Sequence, residues 1–172
     1  VLDIQVTGSE NLRKMARALR QADQVDLRRE LGKAMRQAAR PTQQAVKDAA
    51  EHISTKGERK PGARHPFDGS PPPHATRRAI AGAVTVDIRV NEDDPRVRIQ
   101  VQNSRLPKAL QGMPERFDAG KRWRHPTWGN RAAWSAQTSD PWFFKPIKES
   151  LDDFRKEIDG ALDRTREKLE RA

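Results

Sequence analysis

The side chains in this sequence that could carry chemistry are few and scattered. Its histidines are His52, His65, His74 and His125. A helix presents two metal-binding histidines when they lie three or four residues apart, and no two of these do; nor is there a His-Glu-x-x-His run. His65 and His74 adjoin prolines in a stretch that reads as loop. Gly120-Lys121 resembles the end of a phosphate-binding loop. The match fails, because Arg122 stands where the metal-binding Ser or Thr belongs and Glu115 where the first glycine belongs. Glu92-Asp93-Asp94 could attract a cation, but acids ahead of Pro95 are ordinary turn residues. Ser135 and Ser150 lack a Gly-x-Ser-x-Gly setting. With no cysteine, disulfides and thiolate metal sites are excluded. The expectation is a protein that is not an enzyme and needs no cofactor or metal.

What remains is binding chemistry, of two kinds. The first is charge. Lys and Arg number 34 against 24 Asp and Glu, a net +10 with a pI near 10.5, which points to a polyanionic partner. The surplus lies in Arg13–Arg40, Lys56–Arg78 and Arg105–Arg131 and vanishes after Lys145. Within residues 54–78, Pro61, Gly62, Pro66, Gly69 and Pro71-Pro72-Pro73 argue against helix or sheet ladders. Lys56, Arg59, Lys60, Arg64, Arg77 and Arg78 outweigh Glu58 and Asp68 there. This reads as an extended basic loop that contacts a partner or DNA. The second kind is aromatic. Only 5% of the chain is aromatic, yet all four tryptophans lie between Trp123 and Trp142, followed by Phe143, Phe144 and Phe154. Trp123, His125, Trp128, Asn130, Arg131 and Trp134 form a candidate subunit or partner interface. Trp128 leads this group because Gly129-Asn130 marks a turn. Trp142, Phe143, Ile147, Leu151, Phe154 and Ile158 are the candidate core.

The elements that must position these residues follow from periodicity. Ile147, Leu151, Phe154, Ile158, Leu162, Thr165 and Leu169 recur on one face of a helix running to the end of the chain. Pro146 suits its first turn; Glu149, Asp152 and Asp153 are expected near the positive end of its dipole and Lys168 and Arg171 near the negative end. Leu2, Ile4 and Val6 alternate as in a half-buried strand ended by Gly8. Ser9 is a plausible cap for a short helix with Leu12, Met15, Ala16 and Leu19 on its face. Asp23 then restarts a longer helix with Leu27, Leu31, Ala34, Met35, Ala38, Ala45, Val46, Ala49 and Ile53, bent at Pro41 but kept in phase. Small residues on that face admit close approach of the C-terminal helix. Residues 75–81 suggest a helical turn. Val84, Val86, Ile88 and Val90, then Val97, Ile99 and Val101, read as a hairpin turned at 91–95. Leu106 to Met113 reads as a short helix broken by Pro114. The whole is α+β: one domain over 1–172, with a small antiparallel sheet packed on the long bent helix and the long C-terminal helix. A hydrophobic content of 34% and mean hydropathy of −0.96 suggest that assembly completes the core. No apolar run reaches membrane-spanning length and no signal peptide is visible, so a soluble intracellular product is expected.

This order of parts resembles the neck, tail-completion or head–tail joining proteins of long-tailed bacteriophages, closest to those of phages of actinobacteria. The residues that carry the resemblance are Val6-Thr7-Gly8 before Leu12, Ala38-Ala39-Arg40-Pro41, the run Arg122-Trp123-Arg124-His125-Pro126-Thr127-Trp128-Gly129-Asn130-Arg131, and Pro141-Trp142-Phe143 leading to Lys145-Pro146. It covers nearly the whole chain; the segment 54–78 is long for the family. The resemblance implies a structural virion protein, assembled in the host cytoplasm as a homo-oligomeric ring, sixfold by analogy with the tail tube. Its partners would be an adjacent neck or head-completion ring and the tail-tube or tail-terminator protein, with DNA passing through the lumen and no membrane contact. The competing expectation is a small basic nucleic-acid-binding protein, although no helix-turn-helix, zinc or RNA-recognition signature is present.

Overall fold

Two long helices hold the molecule together, and small residues alternate with large apolar ones between them. The computed structural model describes residues 2–7, 10–57, 73–90, 95–127 and 130–171. Strand β1 (Asp3–Thr7) is followed by α1 (Glu10–Gln21) and α2 (Val25–Glu51). Then come β2 (Thr55–Gly57), α3 (Pro73–Ala83), β3 (Val84–Arg89) and β4 (Arg96–Val101). Two single 3-10 turns, Asn103–Arg105 and Lys108–Leu110, lead to α4 (Met113–Asp118). The chain closes with β5 (Trp123–Thr127), β6 (Asn130–Ser139) and α5 (Phe144–Arg171).

α2 runs unbroken through Pro41. A proline removes one backbone hydrogen bond and crowds the preceding turn, and the apolar phase on either side shows what outweighs that cost: Leu31, Met35, Ala38, Ala39, Thr42, Val46 and Ala50 are all buried. α5 lies along this face through Ile147, Phe154, Ile158, Ala161 and Leu162. Thr42 and Ser150 meet in the seam, where the Ser150 hydroxyl donates to Thr42 Oγ1 at 3.2 Å. Lys168 pairs with Glu30 across the same two helices.

The turn between α1 and α2 is set by Asp23, which holds a left-handed φ of 51°. The Gln24 N–H donates to the Leu19 carbonyl and the Asp23 N–H to the Arg20 carbonyl. This is a Schellman closure, with Asp23 in the position usually given to glycine. Asp23 therefore ends α1 rather than starting α2.

The predicted hairpin forms. β1, β4 and β3 make a three-stranded antiparallel sheet in that order, with Ile4 opposite Ile99 and Val86 opposite Ile99 on the other side. Val84, Val97, Ile99 and Val101 are buried beneath the helices. The outer face is polar; Arg98 pairs there with Asp3, and Arg89 Nε meets Asp87 at 3.1 Å. Two apolar clusters result. One joins β3, β4, α3, the end of α2 and the start of α5; the other joins α1, the first half of α2 and the second half of α5.

The structure departs from the sequence expectations in four places. The aromatic run, to which no strand is assigned from the sequence, contributes β5 and β6, and β2, β6 and β5 form a second antiparallel sheet, in that order. The basic segment is shorter than 54–78, because Thr55–Gly57 pairs with Gln137–Ser139 and α3 begins at Pro73. Proline is tolerated at the first helical position, where no N–H is needed, so Pro73 opens a helix rather than excluding one. For the same reason Pro114 opens α4 instead of breaking a helix over Leu106–Met113. Finally, the first turn of α5 holds no acid; Glu149, Asp152 and Asp153 lie beyond it.

Candidate functional site

The second sheet combines a buried root with an exposed aromatic and exposed bases. Its root is built first. α4 ends at Asp118, which is 8% exposed. Its Oδ1 accepts the Trp142 N–H at 2.9 Å and the Phe143 N–H at 2.7 Å. These are donors at the entrance of α5, so the carboxylate does the work expected of acids within the first turn. The Ser139 hydroxyl donates to the Phe117 carbonyl, and Trp142 Nε1 donates to the Pro114 carbonyl at 3.2 Å. α4 is thus tied to both ends of the Ser139–Phe143 corner. Gly120, with φ of 60°, turns the chain from α4 into β5, and a Cβ there would meet the Pro141 ring at 3.5 Å.

From this root β5 and β6 run outward as a hairpin. Trp123 stands opposite Gln137, Arg124 opposite Ala136 and Pro126 opposite Trp134, with an irregularity between Pro126 and Thr127. Trp123 turns toward the root: its ring meets Phe117 edge-to-face at 5.9 Å, and the Arg116 guanidinium lies 5.5 Å from its centroid. Such a cation over an indole is attractive. Cross-strand partners share a face of the sheet, and alternate residues of a strand do too, so Arg124 and Trp134 lie together on the other face. Trp134 is 51% exposed, and Arg124, Lys121 and Arg122 are exposed beside it. From Ala119 to Ser139 there is no acidic residue.

The sequence-predicted interface residues are therefore divided. Trp123 is half-buried at the root and Trp134 is exposed along the hairpin. His125, Asn130 and Arg131 are placed by their backbone in β5 and β6; their side chains, and all of Trp128, lie outside the described residues. Of the basic loop, Lys56 sits in the backbone of β2, Arg77 and Arg78 belong to α3, and Arg59, Lys60 and Arg64 lie outside the described residues. The loop and the aromatic run converge at one place, since Lys56 pairs with Thr138. Trp142 and Phe143 are buried, as are Ile147, Phe154 and Ile158, while Leu151 is half-buried against the second cluster. Sequence reasoning missed Asp118 and Ser139. Their only local signal was a short polar residue at each end of the aromatic stretch.

Among the described residues no three His, Asp or Glu side chains are grouped to hold a metal, and no helix is long and apolar enough to cross a membrane. A cleft of about 290 Å³ opens between the end of α2 and the start of α5, walled by His52, Asp140, Trp142, Lys145 and Glu149. His52 Nδ1 is engaged with the Asp48 carbonyl at 2.7 Å. Comparison with protein-family models, with curated proteins and with solved structures found no match to this chain.

Proposed function

We propose that this chain is a structural subunit of a bacteriophage neck. It forms a ring that joins the portal and head-completion proteins to the tail tube and lines the channel through which DNA leaves. The observation that carries this reading is the run from Arg122 to Arg131. This is the most specific part of the resemblance, and its described residues Trp123–Thr127, Asn130 and Arg131 lie in the strands of a hairpin anchored in the interior at one end, while Arg124 and the nearby Trp134 are exposed. A rigid root with an exposed aromatic and basic blade suits a subunit completed by its neighbours. The edge strands β1, β3, β2 and β5 offer further places for pairing.

The test is made on particles. Mass spectrometry of purified virions is expected to find the chain, and cryo-electron microscopy to place it between portal and tube. Deleting its gene is expected to leave filled heads and free tails unjoined. Virions that lack the protein, or deletion particles of normal infectivity, overturn the reading. One observation favours the competing nucleic-acid-binding reading, the acid-free basic stretch from Ala119 to Ser139. That alternative requires the free chain to bind DNA with a steep loss as salt rises.

A further inference from the structure

The two faces of α2 differ sharply. On one, Leu31, Met35, Ala38, Thr42 and Val46 are buried. On the other, Arg29, Lys33, Arg36 and Arg40 follow one another at helical steps, so they stand in a row along the axis, and all four are exposed. Lys47 continues the row half-buried, which gives it a length of about 27 Å. α2 carries no Asp or Glu from Leu31 to Lys47. Arg29 is paired with the exposed Asp26 at 3.6 Å. Among the described residues, Lys33, Arg36 and Arg40 are in no ion pair or side-chain hydrogen bond. α5 is charged in another way: Arg155, Lys156, Arg166 and Arg171 each meet an acid of their own helix, at 3.5 to 3.9 Å. Residues 58–72 lie outside the described residues, and their composition does not offset the row, since Arg59, Lys60 and Arg64 outnumber Glu58 and Asp68.

We infer that this row on α2 is a binding surface for the phosphate backbone of DNA, engaged without regard to sequence. Cations at successive turns of a helix, unneutralised from Lys33 onward, make a strip of positive potential, and an array of phosphates releases counterions on meeting it. A protein partner would need apolar anchors at the centre of the contact. Between Leu31 and Lys47 the exposed residues are Lys33, Arg36, Gln37, Arg40, Pro41 and Gln44, with no large apolar side chain among them. An anionic membrane would need an apolar face to enter the bilayer, and that face of α2 is covered by α5. Phosphates need only cations and donors, and Gln37 adds a donor beside the row. The helix behind the row is held by α5, α3 and β3, so the cations keep their spacing before any partner arrives. The inference rests on the reading above, of a chain that lines a DNA channel, and names the element that meets the DNA.

The test is fluorescence anisotropy of a short labelled DNA duplex titrated with the full-length chain. The wild type is expected to bind, with an affinity that falls about a hundredfold between about 50 and 200 mM salt. The helix variant is Lys33→Gln with Arg36→Gln and Arg40→Gln; glutamine is a good helix former, so thermal unfolding should be unchanged. It should bind about tenfold more weakly or worse at the lower salt, with a log–log salt slope shallower by about 2–3. The comparison variant is Lys121→Gln with Arg122→Gln and Arg124→Gln. It removes the same charge from the β5–β6 hairpin and should bind within a factor of a few of wild type. A duplex of different sequence should bind equally well, because phosphates carry no sequence information. If the triple helix variant unfolds, Arg40→Gln alone takes its place, with a severalfold loss and a slope shallower by about 1 expected. The surface is overturned by a wild type that leaves the duplex free at about 100 μM protein in low salt, by a helix variant that binds normally, or by a marked preference for one sequence. Equal losses in the two triple variants overturn it as well, since net charge alone would then govern binding. Lost binding of polyglutamate with duplex binding intact would assign the row to an acidic protein instead. Presence of the chain in virions is decided on particles, so a failure here removes this surface and leaves the neck reading standing.

Discussion

The α2–α5 pair and the β5–β6 hairpin are held by different physics. The helices meet through a continuous apolar stripe, and nearly every residue on the facing sides is buried. The hairpin is held at one end by a carboxylate, a hydroxyl and the Phe117–Trp123 contact, and further along it Trp134 is half exposed rather than packed in either apolar cluster. An isolated two-stranded hairpin is marginal in water, so β2 and the root must supply the rest. The contrast separates two tasks that are often merged in small proteins. The helices set the stability of the fold, and the hairpin presents a surface whose composition can change without unfolding it.

Substitutions can break or sharpen that contrast. The largest effect is expected for Phe143→Ala. Phe143 is fully buried and contacts Trp142 and Phe144 edge-to-face at 5.6 and 5.1 Å, so truncation should cost about 3–5 kcal/mol in chemical denaturation. That is a large share of the stability of a small domain. A loss below about 1 kcal/mol would mean that the helix entrance is not part of the core. Next comes Asp118→Ala, which strands the buried Trp142 and Phe143 N–H groups. A loss of about 2–3 kcal/mol is expected, and Asp118→Asn, which keeps one carbonyl acceptor, should lose less. Equal losses for both variants would show that charge alone matters at that corner. Gly120→Ala should cost about 1–2 kcal/mol because of its positive φ, and should loosen the hairpin root in hydrogen exchange before it affects α2. The smallest stability change is expected for Trp134→Ala, within about 0.5 kcal/mol, although self-association should fall. A large destabilisation there would make the hairpin part of the core and erase the distinction.

The sequence revealed these two regions unequally. α2, α5 and the β3–β4 hairpin were legible because their apolar residues repeat at steps of a helix or strand, and Val97, Ile99 and Val101 have no other way to be buried together. The second sheet was not legible, because its strands carry Trp, Arg, His, Pro, Ser and Ala without clean alternation. β2 was hidden by the prolines and glycines that follow it, and only its pairing with Gln137–Ser139 makes it a strand. Pro73 and Pro114 were read as breakers, although the first turn of a helix accommodates proline. The two-pronged role of Asp118 could not be read locally, since its partners are 24 and 25 residues away. Of the candidate surface, the aromatic composition was legible, but the division between rooted Trp123 and exposed Trp134 required the register.

The place of β1 has a consequence for synthesis. Asp3 finds its partner Arg98 across 95 residues, and the Val101 N–H bonds back to the Leu2 carbonyl. At about 5–20 residues per second, a ribosome leaves β1 without its strand partner for roughly 5–20 s. α1 and α2 are synthesised in that interval, but the stripe of α5 that covers Leu31, Met35 and Ala38 emerges only after β4. Leu2, Ile4 and the apolar face of α2 therefore all wait, exposed, for segments that follow them, because helices gain most of their stability from such packing.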